Sequence, residues 1–242
     1  MSMKLAIITD IHGNAPALQA ALADIEREGV DHLYCLGDLI AIGPNTNEVL
    51  DMLFSRGDIA FVKGNHDEAV LSIIQGKGPL PGHEHARSHH EWVASQLDKS
   101  FIPKLMELPQ MLEVDVFGKN FLFVHYHLKS DGQIKRIDPD PSGEKLDTMY
   151  DGTPYDVVCF GHHHPVHHFQ TNKRLYLNPG ALGCHHQPYA RYGIVEVHQN
   201  RQVTVQLKEI PYDNTDFIAA HIELTILTLI RYQMRFMNYL NK

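Results

Sequence analysis

The sequence predicts an α/β protein, in which two stacked mixed sheets carry helices on their outer faces as a four-layer α/β/β/α sandwich. The first quarter of the chain alternates short apolar runs with amphipathic segments, a pattern typical of βα units and a mostly parallel sheet. A purely helical pattern follows over about 68–108. Beyond it, apolar runs separated by short turns indicate an antiparallel or mixed second sheet. We expect one domain over residues 1–242.

The first βα unit has a signal at each of its boundaries. Residues 4–9 form an apolar run that predicts a strand buried on both faces. Asn14 suits the N-cap of the helix that follows, Pro16 suits its first turn, and Gly29 suits its C-terminal end. The same plan repeats as a strand at 32–36, a helix at about 45–54 and a strand at 59–63.

The helical segment at about 68–108 is predicted to be an insert that forms a lid over the functional site. One helix begins at the turn after the strand at 59–63, a second spans about 84–97, and a short third follows Ser100 as its cap. Several histidines in this segment are either surface residues or candidates for substrate contact. They are His83, His85, His89 and His90.

The second half of the chain consists of short strands and turns. The stretch at 128–154 is polar and rich in proline, glycine and aspartate, so it predicts a loop near the site with one helical turn. Strands are predicted at 111–116 and 120–125 around the turn Gly118-Lys119, at 156–160, at 167–170 and 174–177, and as a hairpin at 192–197 and 203–208.

Residues 214–240 predict one long C-terminal helix, capped by Asn214 or Thr215. Its apolar residues, among them Ile218 and Ile222, cover more than one face. Two interpretations remain open. The helix is either half-buried on its own domain or the interface of a homodimer, because its apolar surface exceeds what one packing face needs.

Composition and charge exclude some function classes. The chain has 242 residues, 43% hydrophobic and 21% charged, with a formal net charge of −8. That charge argues against a broad footprint on the phosphates of a nucleic-acid duplex. It leaves an anionic small substrate possible, because bound dications would add local positive charge.

Cysteine count and hydropathy bear on the cellular compartment. Three cysteines are too few and too scattered for a disulfide framework. Nothing near Met1 resembles a signal peptide, and no apolar run reaches the length of a membrane span. We therefore expect a cytoplasmic protein without a membrane partner.

Polar side chains follow the apolar runs at five places, where the strands of an α/β sheet end and active sites form. Carboxylates, imidazoles and an amide in this number suit two metal ions better than one. Side chains two apart in an extended segment share a face, so each Asp-x-His or His-x-His pair is expected to point into one site. The five places are Asp10-Ile11-His12, Gly37-Asp38, Gly64-Asn65-His66-Asp67, His125 and Gly161-His162-His163-His164.

These motifs, in this order, resemble those of the calcineurin-like metallophosphoesterase superfamily, and within it the small bacterial phosphoesterases related to diadenosine tetraphosphatase and the protein serine/threonine phosphatases. The resemblance covers nearly the whole chain, including the helical insert and Asn178-Pro179-Gly180. It implies two divalent transition metal ions (manganese, iron or zinc) that share Asp38. One ion would be bound by Asp10, His12, Asp38 and His164, and the other by Asp38, Asn65, His125 and His162.

The resemblance also implies phosphoester hydrolysis by a water or hydroxide that bridges the two metals. His66 would donate a proton to the leaving group or stabilise the transition state in contact with the substrate, with Asp67 as its orienting partner. We expect a small or nucleotide-type substrate such as diadenosine tetraphosphate. A phosphoprotein substrate is the alternative within the same chemistry, and a non-catalytic metal-binding scaffold is the alternative outside it.

Two places depart from the pattern of the superfamily. Tyr126 and His127 follow His125, where many relatives have glycine and a small residue. His127 is therefore a residue that supports the metal ligands from behind, a phosphate contact, or a histidine packed at a strand end. After Asn178-Pro179-Gly180 relatives often have a Pro-Arg segment that this chain lacks, and Arg191 is the candidate to replace that arginine in substrate binding.

Overall fold

The computed structural model describes residues 1–223 of the chain. Two short 3₁₀ turns, Glu84–Ala86 and Lys99–Phe101, precede the fourth and fifth helices. The strands are β1 (Ser2–Ile8), β2 (His32–Cys35), β3 (Ile59–Phe61), β4 (Met111–Val116), β5 (Lys119–Val124), β6 (Val157–Cys159), β7 (His167–Gln170), β8 (Leu175–Asn178), β9 (Tyr189–His198) and β10 (Val203–Pro211). The helices are α1 (Ala15–Glu28), α2 (Thr46–Phe54), α3 (Asn65–Ile74), α4 (Arg87–Gln96), α5 (Ile102–Glu107), α6 (Gly143–Met149) and α7, which begins at 215.

The strands form two mixed five-stranded sheets within the described residues. The first has the order β10-β9-β1-β2-β3, and its β1, β2 and β3 are parallel, as the βα pattern predicts. The second has the order β4-β5-β6-β8-β7, with β5, β6 and β8 parallel and the outer two strands antiparallel. The predicted α/β class with two mixed sheets is confirmed.

The hairpin of β9 and β10 completes the first sheet, although it comes last along the chain. β9 runs antiparallel to β1, with Leu5 opposite Val195. Its Val195 and Val197 face the second sheet, and Tyr192 and Ile194 face the helices. A strand that is apolar on both faces must lie inside a sheet. The local pattern identified the hairpin but carried no information about which sheet edge it joins.

Successive side chains of β1 point to opposite faces of the sheet and pack into two different layers of the hydrophobic core. Ala6 and Ile8 pack against the helices α1 to α5, and Leu5 and Ile7 pack between the two sheets. The helix α1 closes the first βα unit as predicted, since the Asn14 side chain accepts a hydrogen bond from the N–H of Ala17 at 3.1 Å.

The outer face of the second sheet carries a third core. Leu122 and Val124 of β5 pack with Leu146 and Tyr150 from α6 and its end. The four predicted layers are therefore present. The helix α6 is longer than the single predicted turn, because Ser142 caps it and Leu146 anchors it on the sheet.

The helical insert is anchored in the core along most of its length. Val93, Leu97 and Leu105 are buried among the helices that cover the first sheet. Asp98 caps the short 3₁₀ turn by accepting a hydrogen bond from the N–H of Ser100 at 2.8 Å, so the predicted cap at Ser100 is wrong by two residues. The part that reaches the site is the loop at 80–83 together with histidines of α4.

The C-terminal helix starts where the sequence predicts. Asp213 accepts a hydrogen bond from the N–H of Thr215 at 2.9 Å, and Asn214 accepts the first backbone bond of the helix. Ile218 and Ile222 are 48% and 54% exposed. The predicted helix at 224–240, and the homodimer interface that rests on it, lie outside the described residues. Within the described part, no helix has both the length and the apolar character needed to span a bilayer.

Candidate active site and metal centre

The side chains that the motifs single out lie together at the carboxyl ends of strands from both sheets. We call them the Asp38-centred set. The first and last members of the set are 154 positions apart in the chain, and backbone hydrogen bonds join its turns, for example from the N–H of His12 to the carbonyl of Asp38 at 2.9 Å. Its members are Asp10, His12, Asp38, Asn65, His125, His162 and His164.

Several of these residues have a backbone conformation that L-residues rarely adopt. The φ angles are +54° at Asp10, +51° at His12, +53° at Asp38 and +66° at His162. The expectation that Asp10 and His12 share the face of an extended segment is therefore wrong, because both lie in left-handed turns. Each such conformation costs about 1–3 kcal/mol and concentrates at functional sites. These turn conformations bring donor atoms of Asp10, His12 and Asp38 within 4.8 Å of one another.

Two glycines permit the close approach of these turns. A Cβ at Gly64 would lie 2.1 Å from the backbone nitrogen of Asp38, and a Cβ at Gly161 would lie 1.9 Å from Oγ1 of Thr9. Both contacts are far shorter than real Cβ atoms allow. The glycine before Asn65 and the glycine before His162 are therefore required by packing of the turns against one another.

Asp10, His12 and His164 form one side of the set. Oδ1 of Asp10 lies 3.7 Å from Nε2 of His12 and 3.6 Å from Nε2 of His164, and the two Nε2 atoms are 3.1 Å apart. The other carboxylate oxygen of Asp10 accepts hydrogen bonds from Thr9 and from the N–H of His162, both at 2.9 Å. Oδ1 is buried and has no hydrogen-bond partner within the described residues.

Asp38 joins this side to a second group. Its Oδ2 lies 3.7 Å from Nε2 of His12 and 3.3 Å from Nε2 of His125. The amide oxygen of Asn65 is 2.8 Å from the same nitrogen of His125. His162 contributes a ring nitrogen within 4.8 Å of the donor atoms of Asp38 and His125. Asp38 is thus the residue that both groups share.

Hydrogen bonding fixes which nitrogen of His125 faces the set. Its Nδ1 donates to the backbone carbonyl of Leu36 at 2.6 Å, which leaves Nε2 directed at Asp38. A ring held by a backbone carbonyl in this way has one tautomer, and its other nitrogen is the donor atom in metal sites.

Charge is distributed unevenly across the set. Burial lowers the pKa of His12 and of His162 to about 3, so both rings are neutral. Burial opposes ionisation of Asp38, but His125 and other nearby imidazoles outweigh it and hold the pKa of Asp38 well below its usual range. Burial also disfavours a charged His125, yet Asp38 raises the pKa of that ring to about 9. The negative charge of Asp38 thus favours the protonated form of His125.

The donors fit metal ions. Carboxylate oxygens and imidazole nitrogens within 4.8 Å of one another are the ligands of hard and borderline divalent cations. The unpartnered Oδ1 of Asp10 is a buried acceptor that a cation would satisfy. A dication beside Asp38 would also provide the positive charge that His125 supplies as a proton.

The expected role of Asp67 as the orienting partner of His66 is not seen, because no hydrogen bond joins the two side chains within the described residues. Its carboxylate is fully buried and accepts backbone N–H groups, at 2.9 Å from Asp38 and at 2.9 Å from Gly64. The N–H groups of Leu39 and Ile40 reach the other oxygen at 3.0 and 3.3 Å. Asp67 therefore holds the loop that presents Asp38.

His66 is oriented by His90 instead. Nδ1 of His66 lies 3.0 Å from Nε2 of His90, and the N–H of His66 donates to Oδ1 of Asp38 at 2.8 Å. The ring of His66 is 5.2 Å from that of His12 between centroids. His66 thus lies at the edge of the Asp38-centred set. The sequence placed His90 only among the histidines of the insert, since no local signal links positions 24 residues apart.

The other two proposed substrate contacts are engaged elsewhere. His127 is 3% exposed, and its Nδ1 lies 2.8 Å from the hydroxyl of Tyr150, a position that favours a packed strand-end histidine over a phosphate contact. Arg191 binds Glu209 across the β9–β10 hairpin, with Nε to oxygen at 2.9 Å. Its guanidinium is committed to that ion pair, and the suggested replacement of the missing arginine lacks structural support.

Cys184 is a neighbour of the set that sequence reasoning did not single out. Its sulfur lies within 4.8 Å of ring nitrogens of His12 and His164. Burial raises the pKa of the Cys184 thiol to about 11. The signal available in the sequence was the departure from the Pro-Arg pattern after Asn178-Pro179-Gly180.

A cleft of about 730 Å³ opens beside the set. Asn65 and His162 lie on its wall, so it connects with the metal-binding groups. Its other walls are the loop at 80–83 and the segment at 131–137. The side chains that line these segments are of three kinds: the charged Asp131, Lys135 and Arg136, the polar His83 and Gln133, and the apolar Leu80, Pro81, Ile134 and Ile137.

Comparison with known proteins identifies the family of the chain. The sequence model of the calcineurin-like phosphoesterase superfamily domain matches residues 3–200. An uncharacterised protein of Methanocaldococcus jannaschii is 27% identical over 229 residues, which cover 86% of this chain and 88% of that protein. The symmetrical bis(5'-nucleosyl)-tetraphosphatase of Klebsiella pneumoniae is 41% identical over 76 residues, which are 31% of this chain and only 27% of that enzyme.

Solved structures share the fold over almost the whole chain. A metallophosphoesterase from Sphaerobacter thermophilus is 23% identical with a TM-score of 0.70, over 92% of this chain and 94% of that one. A hypothetical protein from Pyrococcus horikoshii is 20% identical with a TM-score of 0.74, over 93% and 94%. The chain therefore belongs to the calcineurin-like phosphoesterase superfamily, and it is a phosphoester hydrolase.

Proposed function

We propose that the chain is a dinuclear metal-dependent phosphoesterase that acts on a small or nucleotide-type phosphoester. The observation that carries this is the position of Asp38, whose carboxylate lies 3.7 Å from His12 and 3.3 Å from His125. A carboxylate shared in this way offsets the repulsion between two cations. One ion would be held by Asp10, His12, Asp38 and His164, and the other by Asp38, Asn65, His125 and His162.

The chemistry that bound divalent cations would supply here is a lowered pKa of coordinated water and polarisation of the phosphoryl oxygens. The protein contributes donor atoms that need little rearrangement. Left-handed turns at Asp10, His12 and Asp38 fix the donors, and the carbonyl of Leu36 fixes the ring of His125. Groups held in place before the reaction avoid the cost of reorganisation at the transition state.

His66 would protonate the leaving oxygen or stabilise charge on it. Its position at the edge of the Asp38-centred set, with Nδ1 held by His90, leaves Nε2 as the nitrogen for this task. A positioned acid of this kind contributes about 10²–10⁴ in rate. Burial lowers the pKa of His66, although Asp38 acts in the opposite direction.

The cleft supports a small substrate over a phosphoprotein. Its volume of about 730 Å³ falls within the range of small-molecule sites. Lys135 and Arg136 supply positive charge for further phosphate groups, and Leu80 and Ile134 supply apolar surface for a base or other ring. The name of the Klebsiella pneumoniae relative suggests a dinucleoside tetraphosphate as one substrate to test.

The test is a substrate panel assayed with added Mn²⁺. It contains an aryl phosphomonoester, an aryl phosphodiester, diadenosine tetraphosphate and a phosphoserine peptide. The controls are the same protein after chelator treatment and Asp38→Asn, which removes charge from the shared ligand. We expect metal-dependent hydrolysis of one or more of the three small substrates, abolished in both controls.

The panel also separates the alternatives. Turnover of the phosphopeptide alone would support a protein phosphatase and contradict the proposed small substrate. Absence of turnover with full metal content would contradict catalysis and support a scaffold. Hydrolysis that survives chelation and Asp38→Asn would contradict the metal site itself.

A further inference from the structure

Three imidazoles meet outside the Asp38-centred set. His66 lies in the first turn of α3, His83 lies just before the 3₁₀ turn Glu84–Ala86, and His90 belongs to α4. One ring nitrogen from each lies within 4.8 Å of the other two. The ring centroids are 5.1, 5.4 and 5.7 Å apart. The cluster joins the helical insert to the edge of the candidate active site.

The spacing of the nitrogens matches that of metal ligands. A tetrahedral zinc site with bonds of roughly 2.0–2.1 Å separates neighbouring nitrogens by about 3.3 Å. Nδ1 of His66 and Nε2 of His90 are 3.0 Å apart, close to that value. His90 is 0% exposed, and His66 is its only side-chain hydrogen-bond partner within the described residues. A fully desolvated imidazole is thus held at the cluster.

The charge state of the cluster suits a cation. Burial lowers the pKa of His90 to about 3 and also lowers that of His83. Neutral imidazole is the form that binds metals. Glu68, which lines the cleft with His83, and Glu84, next in the chain, place negative charge beside His83.

We propose that His66, His83 and His90 form a third divalent-cation site, of the all-imidazole kind that Zn²⁺ and Co²⁺ occupy. His83 also lines the cleft, so the proposed site adjoins the space that a substrate would enter. The cation replaces the hydrogen bond between His66 and His90 and holds the ring of His66 through Nδ1. The site shares no ligand with the Asp38-centred set and does not depend on the reaction proposed above.

The test counts bound ions in matched variants. Full-length protein is stripped with a chelator, dialysed to equilibrium against buffered Co²⁺ or Zn²⁺, and analysed for metal per chain. His83→Ala removes one ligand from a partly exposed loop position, and His85→Ala removes an exposed histidine two residues away that is outside the cluster. We expect His83→Ala to bind one ion fewer than the wild type, and His85→Ala to bind the same number.

Spectroscopy and a second variant complete the test. The difference between the Co²⁺ spectra of the wild type and His83→Ala should show the visible absorption of a low-coordinate imidazole site, and His90→Gln should lose the same ion. Equal ion counts in the wild type and His83→Ala would overturn the proposal, as would an equal loss in His85→Ala. The result is a difference between variants, so it stands or falls separately from the number of ions held at Asp38.

Discussion

The floor of the candidate active site and the rim of its cleft are built in opposite ways. The floor consists of Asp10, His12, Asp38 and His125, which are 0–1% exposed. The turns at Asp10, His12 and Asp38 are strained, and backbone hydrogen bonds hold them together. The rim consists of the loop at 80–83 and the segment at 131–137, which are half-buried or exposed.

This difference separates chemistry from recognition. A buried polar group that loses its partner is neither hydrated nor hydrogen-bonded, which destabilises the folded state. A change in the floor therefore affects both metal binding and the stability of the fold. A charge on the rim remains solvated when its partner is absent, so a change there affects substrate affinity alone. Five substitutions, in four predictions, test the comparison from the largest expected effect to the smallest.

Asp38→Asn should reduce activity to background and lower the metal content by one ion or more. The amide cannot supply the negative charge that both donor groups share. Metal analysis and turnover of an aryl phosphate measure the two effects. Asp151→Asn, which alters a surface carboxylate whose side chain is 77% exposed, is the control and should change neither. Full metal content in Asp38→Asn would contradict a shared ligand.

His66→Ala should lower kcat by about 10²–10⁴ while the ions of the Asp38-centred set remain bound. The loss should be larger for an alkyl phosphate than for a nitrophenyl phosphate, because a poor leaving group needs the proton more. Comparison of kcat for the two substrates measures this. An equal loss for both leaving groups would show that His66 does not donate the proton.

Asp67→Asn should lower the free energy of unfolding by about 1–3 kcal/mol. The new amide N–H group faces backbone N–H donors that the carboxylate accepted, including that of Asp38 at 2.9 Å. Denaturant titration measures the loss. Turnover should fall equally for good and poor leaving groups, since Asp67 supports the Asp38 loop. A leaving-group dependence like that of His66→Ala would restore Asp67 as an orienting partner of His66.

Lys135→Ala and Arg136→Ala should each raise KM for a polyphosphate substrate by about tenfold, with kcat and stability unchanged. A phosphomonoester without further phosphates should be affected less. Arg191→Ala is the matched control, because its guanidinium binds Glu209 and should leave KM within about twofold. If Arg191→Ala raised KM more than Lys135→Ala or Arg136→Ala, the assignment of phosphate binding to Lys135 and Arg136 would be wrong.

The sequence determined the layers and the identity of the floor. Apolar runs that end in Gly-Asp, Gly-Asn-His-Asp and Gly-His-x-His are local patterns, because a strand end, a tight turn and the polar residue after it are adjacent in the chain. The α/β class, the two mixed sheets and the convergence of the motif residues followed from such patterns.

Only the tertiary structure decided which side chains meet across the site. Four sets of contacts join residues 18 to 29 positions apart: the pairing of His66 with His90, the backbone donors at 38–40 to Asp67, the contact of His127 with Tyr150 and the ion pair of Arg191 with Glu209. The place of β9 beside β1 is likewise a long-range choice. Such contacts depend on how the layers pack and on which polar groups that packing leaves unpaired. A local stretch of sequence specifies neither.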